Sequence, residues 1–344
     1  MSIAPYIKEI GRGKEGARSL TAEQSQDLFT QVLQGRVSDL ETGAFCLAMR
    51  IKGEEVPELD GFVRATLACS LPLDEALRVA PQGVVVLPSY NGARKLPNLT
   101  PLLALALARK GVRVLVHGPL RDRTRVTTAQ IFEAGEWPVV TTAAALRDRW
   151  QAGLPAFMPI EALCPPLARL LEVRWVIGLR NPGHTVAKLL DPFDRDGAPV
   201  GDGGARPPSL RVVNHTHPEY AKSLSGYLQH VKANALLMRG TEGEPVADAR
   251  RQPRFDLYLD GRLDTEGSRA PVEGVLTQLP TLPTAIDPTT TVTYIQEVLA
   301  ETQDMPESIE EQVECLVQAL AAAAANRPEP MLVPSPGLAP PEAS

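Results

Sequence analysis

The chain has few cysteines and none of them are paired. Cys46, Cys69, Cys164 and Cys315 stand far apart without a Cys-x-x-Cys spacing. That excludes a thiolate metal knuckle or a disulfide scaffold, and reduced core residues are expected. Aromatic residues make up 5% of the chain. They do not interleave with basic residues as a base-stacking platform would require, and no recognition-helix motif is present, so any nucleic-acid contact is expected to have weak sequence preference. No apolar run reaches about 18 residues, and Met1 to Gly16 lacks a continuous hydrophobic segment, so neither a membrane span nor a secretory leader is expected. A soluble, cytoplasmic protein is the expectation. Metal ligands are also scarce. His215 and His217 could share one side of an extended segment, but no third ligand is identifiable, so a loop or helix-entry role is expected for them, with no metal and no other cofactor.

Positive charge is in deficit overall, yet the deficit is local. The formal charge is −6, while residues 287 to 344 carry ten acids against Arg327 alone, leaving +3 for residues 1 to 286. Residues 206 to 254 hold eight basic and four acidic residues. Such asymmetry implies a basic face and an acidic C-terminal element.

The most informative stretch lies between residues 83 and 118. Val84 to Leu87 and Val112 to Val116 are unbroken apolar runs, the pattern of strands buried on both faces. Between them Thr100 is read as an N-cap, Pro101 as the first helical residue, Leu102 to Ala108 as helix and Gly111 as its left-handed stop. Two such strands joined by a helix should be parallel. Ligands of parallel sheets sit beyond the C-terminal strand ends, which makes Pro88 to Lys95 and Gly118 to Thr127 two loops of one site.

At these loops the chain resembles the anthranilate phosphoribosyltransferase and nucleoside phosphorylase superfamily (glycosyltransferase family 3). In that superfamily the first strand runs into Gly-Thr-Gly-Gly-Asp and the second into Lys-His-Gly-Asn-Arg. Here the five positions of the first motif are Leu87, Pro88, Ser89, Tyr90 and Asn91, and none is kept. In the second, His117 and Gly118 survive. Thr127 to Ala134 follow the next helix of the family, and Leu20 to Gly53 resembles its helical domain, with a Gly-x-Val-Ser-Asp turn and a Gly-Ala-Phe helix. The family's magnesium-holding acid pair falls on Pro245 and Val246, with Glu242 and Glu244 nearby, and its site Arg and Asn map onto His184 and Lys188. A diphosphate needs converging backbone N–H groups, which Pro88 and Tyr90 oppose, so ordinary phosphoribosyl transfer is not expected.

The stretches HTHP, RGTEGEPVAD-x-RR-x-PR, PSYNGARK and VHGP narrow the resemblance to the YbiB-type branch of the superfamily. That resemblance implies an α/β, anthranilate phosphoribosyltransferase-like fold. It comprises a small discontinuous helical domain (residues 1 to 71 plus about 160 to 188) and a larger α/β domain with a mainly parallel central sheet (about 82 to 158 plus 189 to 326). It also implies a non-catalytic homodimer, paired through the helical domain, that binds DNA or RNA. The expected binding residues are basic: Arg94 and Lys95 in the first loop, Arg121, Arg123 and Arg125 in the second, and Lys188, Lys222, Arg239, Arg250, Arg251 and Arg254 further on. Ser89, Asn91, His117 and Gly118 are remnant active-site positions.

The alternatives stay open. One is a phosphoribosyltransferase or phosphorylase with an altered substrate, using Lys188, His117 and the surviving acids; another is a scaffold whose acidic C-terminal helices hold a basic partner. His117 has two readings, a buried remnant or a catalyst, and Tyr90 two, a base-stacking ring or a cover over the vacated pocket. Residues 194 to 208 read as an exposed loop able to close over the cleft. Residues 327 to 344 read as a disordered, proline-rich tail.

Overall fold

The computed structural model describes residues 2–13, 15–194, 206–274 and 279–326. The expectations for residues 195 to 205 and 327 to 344 fall outside them. One sheet of seven strands organises the chain: β1 (Val84–Pro88), β2 (Arg113–Gly118), β3 (Ala156–Pro159), β4 (Ser209–His215), β5 (Ala235–Arg239), β6 (Phe255–Leu259) and β7 (Arg262–Arg269). Their spatial order is β3-β2-β1-β4-β5-β6-β7. The first five are parallel to one another, and β6 and β7 add antiparallel pairs at one edge.

Alternation along the strands divides the protein into two cores. Val84, Val86, Leu115, Met158, Val213 and Leu237 face a core shared with the N-terminal helices. Val85, Leu87, Val114, Val116, Val212 and Leu236 face the other, closed by helices Pro288–Leu299 and Glu307–Ala325. Both strand faces are therefore buried, which explains the unbroken apolar runs.

The N-terminal helices Ala22–Leu33, Asp39–Lys52 and Val56–Ala68 surround a ring cluster. Phe29 and Phe62 lie 4.7 Å apart, and Phe45 meets Phe62 edge to face. Thr21 and Ser38 start two of these helices as N-caps in capping boxes with Gln24 and Glu41. Gly61 allows close helix approach, because a Cβ there would lie 2.3 Å from the Ala22 carbonyl. Helices Pro165–Glu172 and Pro182–Leu189 pack on this group. Where the chain returns to the sheet, the buried Arg211 guanidinium holds Asp194 and Asp191 and donates to the Leu189 carbonyl.

The helix after β1 runs Thr100–Arg109, one residue earlier than expected. Leu99 is its N-cap residue, and Asn98 Oδ1 accepts from the Thr100 N–H at 3.0 Å. Pro101 fits the second helical position as well as the first, since neither needs a donor there. Gly111 does take a positive φ of 82°. The alanines at 321 to 325 end the last helix. That helix buries Ile309, Val313, Leu316 and Leu320 against the sheet. Its packing face is thus committed, and Glu311 is paired with Arg269.

Candidate functional site

The two loops meet beyond the C-terminal ends of β1 and β2. Ala93 and Val126 exchange backbone hydrogen bonds of 2.8 and 3.0 Å. Gly118 is needed at this junction, because a Cβ would lie 1.9 Å from the Ser89 carbonyl oxygen. His117 beside it is fully buried: its Nε2 donates to the Leu190 carbonyl at 3.0 Å, which leaves Nδ1 to accept from the Tyr90 hydroxyl at 2.7 Å. Burial lowers its pKa to about 4. His117 is therefore a neutral interior group, and Tyr90 is a buried cover with no face free for a base.

Most N–H groups of the first loop are engaged, five of those in residues 91 to 96 by carboxylates. Glu244, 1% exposed, accepts from the N–H groups of Asn91 and Gly92, each at 2.6 Å, and from the Ser89 hydroxyl. Glu242 accepts from the N–H groups of Arg94 (2.6 Å), Lys95 (2.9 Å) and Leu96 (3.2 Å). Both acids sit on a turn after β5, where Glu242 and Gly243 have φ of 51° and 87°. A Cβ on Gly243 would strike Asn91 Nδ2 at 1.9 Å, so glycine lets this turn press on the loop.

The two carboxyl groups titrate in opposite directions. Burial raises the Glu244 pKa despite its donors, whereas at Glu242 the loop N–H groups outweigh burial and lower it. Both carboxylates are engaged by donors of the first loop. Each is turned into the loop, and no cluster of three metal-ligating side chains occurs among the described residues. The acid pair of the family motif is thus answered by acids at different positions with a different job.

Next to this loop lies a cleft of about 320 Å³ between the helical group and the sheet. Arg180, His184, Lys188, Asn214 and His217 are among its walls. Arg180 donates to Asn91 Oδ1 at 2.8 Å, and Lys188 Nζ to Asn214 Oδ1 at 3.1 Å. Among the described residues neither cation has a carboxylate within ion-pair distance, although Glu244 acts on both from further away. Burial, then Arg180, lowers the Lys188 pKa to about 8; burial, then Arg174 and Arg125, lowers that of Arg180 to about 10. Burial and Arg180 hold His184 at about 3. Asn214, 1% exposed, keeps its Nδ2 without a partner. The cleft thus offers unpaired positive charge and a spare donor.

The expected basic residues differ in how far they are already engaged. Arg125 donates to the Gly92 carbonyl at 3.4 Å and lies near enough to act on Arg180, Lys188 and Glu242. Arg94 and Lys95 are exposed, with no ion pair among the described residues, and Lys222 and Arg239 are exposed as well. Arg121, Arg250 and Arg254 are paired with Glu133, Asp248 and Asp256, and Arg251 donates to the Val272 carbonyl. Arg123 lies over the Trp175 ring at 4.8 Å, with Arg174 at 4.1 Å. His217 is the helix-entry residue of Pro218–His230. Sequence reasoning missed Arg180 and Asn214. Arg180 had one signal, its place just ahead of the Asn181-Pro182 helix start.

Residues 4–70 match the model of the glycosyl transferase family helical bundle domain. YbiB of Escherichia coli K12 is 41% identical over 332 residues, covering 94% of this chain and 96% of that protein. The chain belongs to the YbiB branch of the glycosyltransferase family 3 superfamily. The anthranilate phosphoribosyltransferase of Pyrobaculum calidifontis is 28% identical, over 75% of this chain and 74% of the enzyme. The crystal structure of the Thermus thermophilus enzyme superposes with a TM-score of 0.62 at 18% identity, covering 93% of this chain and 95% of that one. The Saccharomyces cerevisiae enzyme in complex with PRPP and Mg gives 0.60 at 12% identity, covering 94% and 95%. The α/β fold is therefore that of anthranilate phosphoribosyltransferase.

Proposed function

We propose that this chain is a phosphoribosyltransferase-like protein with an altered substrate. Its cleft takes the phosphate of a ribosyl phosphate or nucleotide on Arg180, Lys188 and Asn214, without a divalent ion. The observation that carries this reading is the pair of cleft cations with neutral partners beside the free Asn214 donor. Cations withdrawn from water are stabilised by an anion, and a phosphate supplies one with enough acceptors for all three groups. The turned-in carboxylates of Glu242 and Glu244 argue against magnesium, because recruiting them would strip the loop of its acceptors.

Calorimetry with ribose 5-phosphate and nucleoside monophosphates in a chelating buffer tests this. Binding without metal is expected, and Arg180→Ala or Lys188→Ala should each weaken it by about 10- to 100-fold, the usual worth of a charge-assisted hydrogen bond. Affinity should also fall as pH rises through about 8, where Lys188 loses its proton. Tight binding of phosphoribosyl pyrophosphate that appears only with magnesium would overturn the reading.

A second reading has its own support. Trp175, with the guanidinium groups of Arg123 and Arg174 over its ring, stands close enough to the cleft for Arg174 to act on Arg180 and His184. Together with exposed Arg94 and Lys95, it suits a single-stranded nucleic acid bound through its backbone without sequence preference. Oligonucleotide affinity should then fall steeply with salt and with Arg94, Lys95 and Arg123 replaced by Ala. Arg121→Ala and Arg250→Ala should matter less, because carboxylates already engage those residues. A homodimer through the helical domain belongs to the same proposal.

A further inference from the structure

The donor pattern of the first loop is that of an anion site, whatever the superfamily does with it. Of the six residues 91 to 96, five point their backbone N–H groups at carboxylate oxygens: Asn91 and Gly92 at Glu244, and Arg94, Lys95 and Leu96 at Glu242. The sixth, Ala93, is used in the bridge to Val126. The Ser89 hydroxyl completes the Glu244 half. Successive N–H groups converging this way form a concave nest that selects negative charge. The nest here has two halves, each filled by one carboxylate. Its occupants come from about 150 residues away, on a turn whose Glu242 adopts a left-handed conformation at φ 51°. Such a conformation costs a non-glycine residue free energy, so the contacts it allows must return more. Asn91 ties the two partners further, donating to the Glu242 carbonyl at 2.7 Å.

We infer that residues 240 to 244 are a built-in anion: Glu242 and Glu244 occupy a two-part anion site on the first loop and exclude free phosphate-class ligands from it. The site is complete in its donors and closed by the chain itself. Ligands must then enter through the neighbouring cleft, whose walls include Arg180 and Lys188. Removing the two carboxylates converts the loop into a receptor for an ion with two linked anionic groups, of which inorganic diphosphate is the simplest. This inference rests on the loop geometry and does not depend on what the cleft binds.

The full chain is titrated with inorganic pyrophosphate in a metal-free buffer, as wild type and as Glu242→Ala/Glu244→Ala, with amide hydrogen exchange followed across residues 91 to 96. In the wild type, pyrophosphate should leave exchange at these amides unchanged, and they should be protected. In the double variant they should exchange at least tenfold faster and regain protection when pyrophosphate is added. Protection in the wild type that rises with pyrophosphate, or a folded double variant whose loop gains none, overturns the inference. If the double variant does not fold, Glu242→Ala alone decides. Faster exchange confined to Arg94, Lys95 and Leu96, reversed by pyrophosphate, supports the built-in anion, and unchanged or unreversed exchange there overturns it. A heat of binding lost in Arg180→Ala but with no effect on loop exchange belongs to the cleft and separates the two proposals.

Discussion

Buried histidines give this protein a proton-linked weakness. His117 and His184 titrate in the folded chain near 4 and 3, because burial, and for His184 also Arg180, opposes their charged forms. An unfolded histidine takes up its proton near pH 6.5, so these two groups favour the folded state fully above about 6.5 and withdraw that support as pH falls toward 4. Each contributes a slope of up to about 1.4 kcal/mol per pH unit over that window. Urea denaturation between pH 7 and pH 5 should show stability falling with acid. His184→Gln, which keeps a polar group at the N-terminal end of Pro182–Leu189 but cannot take a proton there, should flatten the fall by about one histidine's share. A variant with the wild-type slope would show that His184 is protonated alike in both states. At His117 two hydrogen bonds join Tyr90 to the backbone before Asp191, which is a packing role.

Elements here are held by close approaches more than by propensity, and Gly118 shows the clearest case. A side chain at that position would meet Ser89 backbone atoms, which cannot swing aside, at the point where β1 turns into its loop. Gly118→Ala should therefore cost about 3 kcal/mol or prevent folding, as overpacking against backbone does. Chemical denaturation measures it, and near-wild-type stability would show that the loop can shift. Such approaches also set what was legible in the sequence. The β1 to β2 unit, its parallel pairing and the meeting of its loops followed from unbroken apolar runs and glycine placement, because those are local signals. The capping boxes at Thr21 and Ser38 were equally local. Glu242 and Glu244 were visible as acids, but their role was not, because it depends on backbone N–H directions in a loop about 150 residues away. The basic residues illustrate the same limit: a count of arginines does not reveal that Arg121, Arg250 and Arg254 have carboxylates beside them.

At the scale of the whole molecule, the sheet separates two duties. One face carries the acidic C-terminal helices, the other the helical group, and the cleft opens between that group and the strand ends. No helix among the described residues is long and apolar enough to cross a membrane. Apolar surface is nevertheless exposed on one element. On Asp39–Lys52, Phe45, Cys46 and Met49 are buried, while Leu40, Leu47 and Ile51 are 84%, 48% and 57% exposed. Their spacing of seven and four residues sets them along one helical stripe. A stripe of this kind, on the helical group proposed to pair, fits a twofold contact in which the same helix meets itself across the axis. Sedimentation should then show a dimer at micromolar concentration, and Leu47→Glu/Ile51→Glu should yield a folded monomer, since both side chains point away from the Phe29, Phe45 and Phe62 cluster. A wild-type monomer, or a dimer unmoved by the paired substitution, would remove the helical group from the interface. The stripe lies on the helix that ends at Lys52, immediately before Gly53 and Glu54 in the cleft wall. Pairing would therefore fix one wall of the ligand site, and the monomeric variant should bind ribosyl phosphates more weakly as well as sediment more slowly.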